Sequence, residues 1–153
     1  MTAQLRPGAV EKSEEPVARQ YAALCHRESG RGREVLLITS SEGRWICPKG
    51  WPIDGLSPVD AALQEAWEEA GVRDGVAEAQ PVGTYLADKS TGEGEDILCR
   101  TTVYAVEVTR MRDAFPEADR RERRWVPLAD AARETDEDGL RDIFRAFARR
   151  HAA

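Results

Sequence analysis

Two helices are predicted by the spacing of apolar positions along the chain. Near the C-terminus, apolar residues recur at the i, i+3, i+4 and i+7 positions that form one face of a helix. They are Leu140, Ile143, Phe144, Phe147 and Ala148. Earlier, Ser57 and Pro58 form a helix start and Gly71 a stop, so a helix is predicted over residues 58–70. Its inward side is expected to consist of Val59, Ala62, Leu63, Ala66 and Ala70.

Short apolar or alternating runs before and after the first helix predict strands. They cover residues 17–27, 34–39, 45–47, 82–87 and 97–108, and a last short strand ends the segment 120–128. Residues 48–56 are predicted to form a loop, and residues 109–119 a polar connection. Because strands and helices do not alternate regularly, we predict an α+β domain, a layered α/β/α sandwich with a mixed central sheet.

Composition and charge restrict the class of protein. The length suits one domain, which we place at residues 17–153 after a polar, mobile arm at residues 1–16. A formal net charge of -6 argues against a nucleic-acid polymer as partner, and no apolar run is long enough to span a membrane. The three dispersed cysteines are expected to be buried, reduced thiols of a cytoplasmic protein, while His26 and His151 are expected at the surface.

Three glutamates of the first helix form the principal candidate for chemistry. Glu65, Glu68 and Glu69 are spaced i, i+3 and i+4, so they lie on one helix face. Taken alone, such a face is more often simply solvated. Two residues just before the helix change that balance: Gly50 allows a ligand to approach the backbone, and Lys49 offers a point charge for phosphate. Hard divalent cations are held by carboxylates together with substrate phosphates.

The spacing of these residues resembles the signature of the Nudix hydrolase family. That signature is Gly, five residues, Glu, seven residues, Arg-Glu, a hydrophobic residue, any residue, Glu-Glu, any residue, Gly and a hydrophobic residue. Here it runs from Gly50 to Val72 (the box), and the spacing matches throughout. Two identities differ, because Leu56 stands at the first Glu position and Gln64 at the Arg position.

The resemblance implies a Nudix fold with the box helix and a C-terminal helix. It also implies hydrolysis of a diphosphate linkage with Mg²⁺ or Mn²⁺. By position, Glu65, Glu68 and Glu69 would be the catalytic residues and metal ligands, and the Gly50 carbonyl a further ligand. The family often takes an additional carboxylate from a later loop, for which Glu93, Glu95 and Asp96 are candidates.

The loop before the box helix, the helix itself and the segment around Trp125 resemble one branch of the family. This is the diphosphoinositol polyphosphate and diadenosine polyphosphate hydrolase branch, including its bacterial members. The implied partner is a small anionic diphosphate compound, and Lys49, Arg44, Arg121 and Arg123 are the predicted substrate-binding residues. Family members are often dimers, so a homodimer is a further hypothesis.

The two departures leave an alternative open. Leu56 removes a carboxylate and Gln64 lacks the charge of arginine, so weaker metal binding and slower hydrolysis are expected. Replacing Gln64 by Arg is then predicted to raise the rate. The alternative is a catalytically weakened Nudix domain that binds or senses a phosphorylated ligand.

Overall fold

A mixed sheet of eight strands forms the centre of the protein. The computed structural model describes residues 17–90 and 96–151, so the predicted arm at residues 1–16 and the candidates Glu93 and Glu95 lie outside the described residues. The strands are β1 Ala18–Ser29, β2 Gly32–Thr39, β3 Trp45–Ile46, β4 Lys49–Gly50, β5 Val72–Ala77, β6 Gly83–Ser90, β7 Asp96–Met111 and β8 Arg123–Pro127. The helices are α1 Pro58–Ala70, α2 Leu128–Glu134 and α3 Asp138–Arg150.

Strands β1 and β7 are paired in parallel, with Ala18 opposite Cys99 and His26 opposite Glu107. The other strand pairs are antiparallel: β2 joins β1, β3 and β8 join β2, and β5 and β6 join β7. The two-residue strand β4 pairs with β1 and lies within the segment predicted to be a loop. The predicted α+β class with a mixed sheet, a box helix and a C-terminal helix is confirmed.

The box helix α1 has the bounds that its end signals predict. The Ser57 side chain accepts a hydrogen bond from the Asp60 N–H at 3.2 Å, which caps the first turn. Gly71 ends the helix in the left-handed conformation at φ 75°. A Cβ on Gly71 would also lie 2.5 Å from the Arg112 carbonyl oxygen. Both the conformation and the close contact require glycine at this position.

Alanine methyl groups set the distance between α1 and the sheet. Ala62, Ala66 and Ala70 are fully buried, as predicted, and pack in the common core. Val59 and Leu63 are only partly buried and flank that core. Small side chains on the inner face let the helix lie close to the strands, so the carboxylates on its other positions are held rigidly.

The C-terminal helix α3 completes the core. Its residues Leu140, Ile143, Phe144 and Phe147 are all buried, as the helical spacing predicts. The helix begins close to β6, because a Cβ on Gly139 would lie 2.5 Å from the Tyr85 Cβ.

The prediction that His26 lies at the surface was wrong. Its side chain is buried, and its ring centroid lies 4.9 Å from that of Phe147. Burial, together with the charge of Arg33, which contacts Nδ1 at 2.8 Å, lowers the pKa of His26 to about 4. Glu107 and Glu78 oppose this shift, and His151 reinforces it. His26 ends a run of β1, from Ala22 onward, in which both faces of the strand are buried, so its side chain is covered whichever face it lies on.

Cys25, Cys47 and Cys99 are buried, as predicted. Within the described part of the chain, no helix has both the length and the apolar character needed to cross a membrane.

Candidate metal and catalytic site

Strand β4 brings the start of the box against the box helix. Its pairing with Tyr21 and Ala22 of β1 fixes Lys49 and Gly50 beside α1. The Lys49 N–H donates a hydrogen bond to Glu69 Oε1 at 3.1 Å. A Cβ on Gly50 would lie 2.3 Å from the carboxyl carbon of Glu65. Gly50 is therefore needed for space, because the Glu65 carboxyl group lies directly against its backbone.

The carboxyl groups of Glu65 and Glu69 share a hydrogen bond in the space beside Gly50. Burial, together with the charges of Glu69, Glu68 and Glu117, raises the pKa of Glu65 to about 8. Burial also raises the pKa of Glu69, although the Arg121 guanidinium and the Lys49 N–H oppose that increase. Two carboxyl groups in contact need a proton or a cation between them.

Glu69 is buried, although a helix face with three glutamates is, taken alone, more often solvated. Only 7% of its surface is exposed, because the side chain points into the gap between α1, β4 and the segment before β8. Backbone and guanidinium donors compensate the burial of its charge.

Glu68 makes a different contact. Gln64 Nε2 donates a hydrogen bond to Glu68 Oε2 at 2.6 Å, one helical turn away. The residue at the family's arginine position therefore does bind a box carboxylate, but without a charge.

The two departures from the family signature lie at one cavity. Leu56 and Gln64 both line an open cavity of about 360 Å³ between α1 and β5, together with Trp67 and Arg73. None of Glu65, Glu68 and Glu69 lines this cavity.

Glu117 and Arg121 lie beside the box carboxylates. From the sequence, Arg121 was predicted to bind substrate, and Glu117 had no predicted role. Arg121 Nη2 lies 3.3 Å from Glu69 Oε2 and 2.8 Å from Glu117 Oε1. The Glu117 N–H donates to the carbonyl oxygen of Glu68 at 3.0 Å, which fixes its loop to the end of the box helix. The only local signal was the i, i+4 spacing of Glu117 and Arg121, which is too common to indicate a site.

The four predicted substrate-binding residues occupy different surroundings. Lys49 Nζ lies 3.7 Å from Glu137 Oε2, and the Tyr85 hydroxyl donates to the same carboxylate at 3.2 Å. Arg44 is at the exposed turn after β2, near Glu42. The Arg123 guanidinium binds the carbonyl oxygens of Ala70 and Arg112 at the end of α1. Of the four, Lys49 and Arg121 are the residues that contact a box glutamate.

The donors at this site suit a hard divalent cation. Glu65, Glu68 and Glu69 offer carboxylate oxygens, and Gly50 has no side chain that would displace the Glu65 carboxyl group. Within residues 17–90 and 96–151, no three acidic, histidine or cysteine side chains are arranged so that they could hold a metal ion together. Glu68, which is bound to Gln64, would have to turn toward the Glu65–Glu69 pair to complete a three-carboxylate set.

Comparison with known proteins decides the family. A family model described as the NUDIX domain matches residues 18–147. The chain belongs to the Nudix family. The resemblance predicted from the box is thereby confirmed, and the match extends from β1 almost to the end of α3.

Curated relatives of this Nudix chain include plant and animal proteins. It is 34% identical to Nudix hydrolase 12, mitochondrial, of Arabidopsis thaliana over 102 residues, which cover 64% of this chain and 50% of that protein. It is 33% identical to diphosphoinositol polyphosphate phosphohydrolase 3-alpha of Homo sapiens over 117 residues, covering 74% and 66%. The chain spans about half the length of several curated relatives that it matches.

Solved structures share the Nudix fold. The C. elegans Ap4A hydrolase superposes with a TM-score of 0.65 at 17% identity, covering 90% of this chain and 100% of that chain. The NUDIX domain of Shewanella oneidensis NrtR complexed with ADP ribose superposes with a TM-score of 0.68 at 18% identity, covering 92% of each.

Proposed function

We propose that this Nudix domain hydrolyses a diphosphate linkage in a small anionic nucleoside or inositol polyphosphate. The observation that carries the proposal is the contact between the Glu65 and Glu69 carboxyl groups against the backbone of Gly50, with Glu68 on the adjoining turn. Relatives named as diphosphoinositol polyphosphate phosphohydrolases support this substrate class. The solved NUDIX domain with ADP ribose and the Ap4A hydrolase are also named for compounds with linked phosphates.

Each residue has a proposed role in this reaction. Glu65, Glu68 and Glu69, with the Gly50 carbonyl, would hold Mg²⁺ or Mn²⁺. When bound, such an ion neutralises phosphate charge and lowers the pKa of a coordinated water. Lys49 binds a phosphate oxygen of the substrate. Water attacks one phosphorus, the bond from that phosphorus to the bridging oxygen breaks, and a carboxylate of the site takes the water proton.

Glu117 is the proposed carboxylate from outside the box. It reaches Arg121, and its charge acts on both Glu65 and Glu69. The family resemblance implied such a residue in a later loop, and the segment before β8 supplies this candidate.

A second proposal is a domain that binds a phosphorylated ligand without turning it over. The Gln64–Glu68 hydrogen bond favours it, because it holds one box carboxylate with a neutral partner. In either case the proposed compartment is the cytoplasm, although several relatives carry the word mitochondrial in their names.

A substrate panel tests these proposals. The protein is incubated with Mg²⁺ and dinucleoside polyphosphates, ADP-ribose, nucleoside triphosphates or an inositol pyrophosphate, and the release of phosphate or mononucleotide is measured. Turnover that Glu69→Gln abolishes, but that Glu42→Gln on the exposed turn after β2 leaves intact, supports the hydrolase. Saturable binding without turnover of any compound supports the binding domain.

A further inference from the structure

Arg121 is held by three separate segments of the protein. Its Nε donates to Glu117 Oε1 at 2.8 Å, and its Nη1 donates to the carbonyl oxygen of Thr39 at 2.6 Å. The remaining nitrogen, Nη2, lies 3.3 Å from Glu69 Oε2. Only 16% of the side chain is exposed, so solvent screens this charge weakly. The guanidinium is thus fixed at the end of β2 and aimed at the box helix.

The box helix supplies no positive charge of its own. Between Pro58 and Ala70 it contains four acidic residues and no lysine, arginine or histidine. Gln64, at the position where the family signature has arginine, offers only an amide to Glu68. Among the ion pairs between described residues, the contact between Arg121 and Glu69 is the one that includes a glutamate of α1.

We propose that Arg121 is a positioning residue that supplies, from outside the box helix, the charge absent at Gln64 and holds the Glu69 carboxylate in place as a metal ligand. The inference rests on the proposed metal site. It gives Arg121 a different role from the substrate contact predicted from the sequence. A residue that orients a ligand in this way changes metal affinity, whereas a substrate contact changes the KM for substrate.

The first experiment measures Mn²⁺ binding by calorimetry without substrate. Arg121→Gln is expected to weaken the affinity by about 10- to 100-fold, the usual effect of losing a group that orients a metal ligand. Arg121→Lys, which keeps a positive charge, is expected to retain more of it. The matched control is Arg120→Gln, which removes a guanidinium that also pairs with Glu117 but is largely exposed. Circular dichroism establishes that each variant is folded, and Arg121→Lys serves for comparison if Arg121→Gln does not fold.

The second experiment combines Arg121→Gln with Gln64→Arg. If both positions supply charge to one cluster of box carboxylates, position 64 through Glu68 and Arg121 through Glu69, their effects on Mn²⁺ affinity are not additive. Gln64→Arg should then raise the affinity at least several-fold more in the Arg121→Gln background than in the wild-type chain. Equal gains in both backgrounds would contradict the proposal.

Two further outcomes overturn the inference and separate it from the proposed function. Unchanged Mn²⁺ affinity in Arg121→Gln, with a raised KM for substrate, would assign Arg121 to substrate binding and leave the hydrolase proposal intact. Absence of Mn²⁺ binding by the wild-type chain would overturn the Arg121 role together with the metal site. Mn²⁺ binding that depends on Arg121, in a chain that turns over no compound of the panel, would sustain the role and refute the hydrolase.

Discussion

Gly50→Ala should damage the site while leaving the fold nearly intact. The added Cβ would lie 2.3 Å from both the carboxyl carbon and one carboxyl oxygen of Glu65. Ordinary van der Waals contact begins near 3.4 Å, so the carboxyl group must retreat by about 1 Å. The atoms that move are the far end of a flexible side chain. Gly50 also has no positive φ, so alanine fits its backbone conformation.

The expected magnitudes follow from that displacement. Mg²⁺ demands near-ideal geometry at short distances, so a ligand displaced by about 1 Å is lost or strained. A misplacement of this size costs about 100-fold in kcat/KM, which is about 2.7 kcal/mol. The free energy of unfolding without metal should change by no more than about 1 kcal/mol, since Gly→Ala at an unstrained position has a small effect of its own.

The assay compares three chains by urea denaturation without metal, by calorimetric titration with Mg²⁺ and by turnover of the best substrate. The control is Gly30→Ala in the turn after β1, where an added Cβ meets no atom within 4 Å and φ is not positive. Wild-type Mg²⁺ affinity and turnover in Gly50→Ala would refute the role of the Glu65 carboxyl group beside Gly50.

Three other substitutions test separate parts of the structure. Gly71→Ala should lower the free energy of unfolding, measured in urea, by about 2 kcal/mol or more, because alanine is strained at positive φ and its Cβ would lie 2.5 Å from a carbonyl oxygen. A decrease below about 0.5 kcal/mol would contradict the requirement for glycine at this position. The pKa of His26 is lowered to about 4, so the unfolded chain binds this proton at a higher pH than the folded chain does. The contribution of His26 to the free energy of unfolding should therefore be fully present above pH 6.5 and fall by up to about 3 kcal/mol as the pH drops to 4. His26→Gln should flatten that slope in urea titrations at each pH, and an unchanged slope would refute the assignment. Lys49→Met should raise KM about 10-fold or more through loss of a charged phosphate contact. It should preserve Mg²⁺ affinity, because the Lys49 backbone N–H rather than the side chain binds Glu69. Weaker Mg²⁺ binding would show that the side chain acts on the metal ligands.

Local signals explain why the box helix could be predicted to the residue. Ser57, Pro58 and Gly71 each act on their immediate neighbours, so their meaning does not depend on distant parts of the chain. The short strands were harder to predict. Strand β5 carries Asp74 and Gly75 and shows register shifts there, which interrupt any alternating pattern. Strand β4 has only two residues and depends on its partner β1.

The surroundings of the carboxylates required the tertiary structure. The burial of Glu69 depends on Arg121, which is 52 residues away and shows no local sign of this contact. Glu117 lies in a segment whose polar composition suggested only a connection. The box motif therefore named the candidate glutamates from the sequence, while the folded chain decides which charges surround them.

The alanine face of α1 links the core of the protein to the evolution of its site. Ala62, Ala66 and Ala70 are fully buried against the sheet, and Ala66 and Ala70 directly follow Glu65 and Glu69 in the chain. A larger apolar residue at any of these positions would move the whole helix outward, and the glutamates with it. Substitutions that look like conservative changes in hydrophobicity would then alter the geometry of the proposed metal site. In this chain, changes in the core and changes in the proposed activity are therefore expected to be coupled.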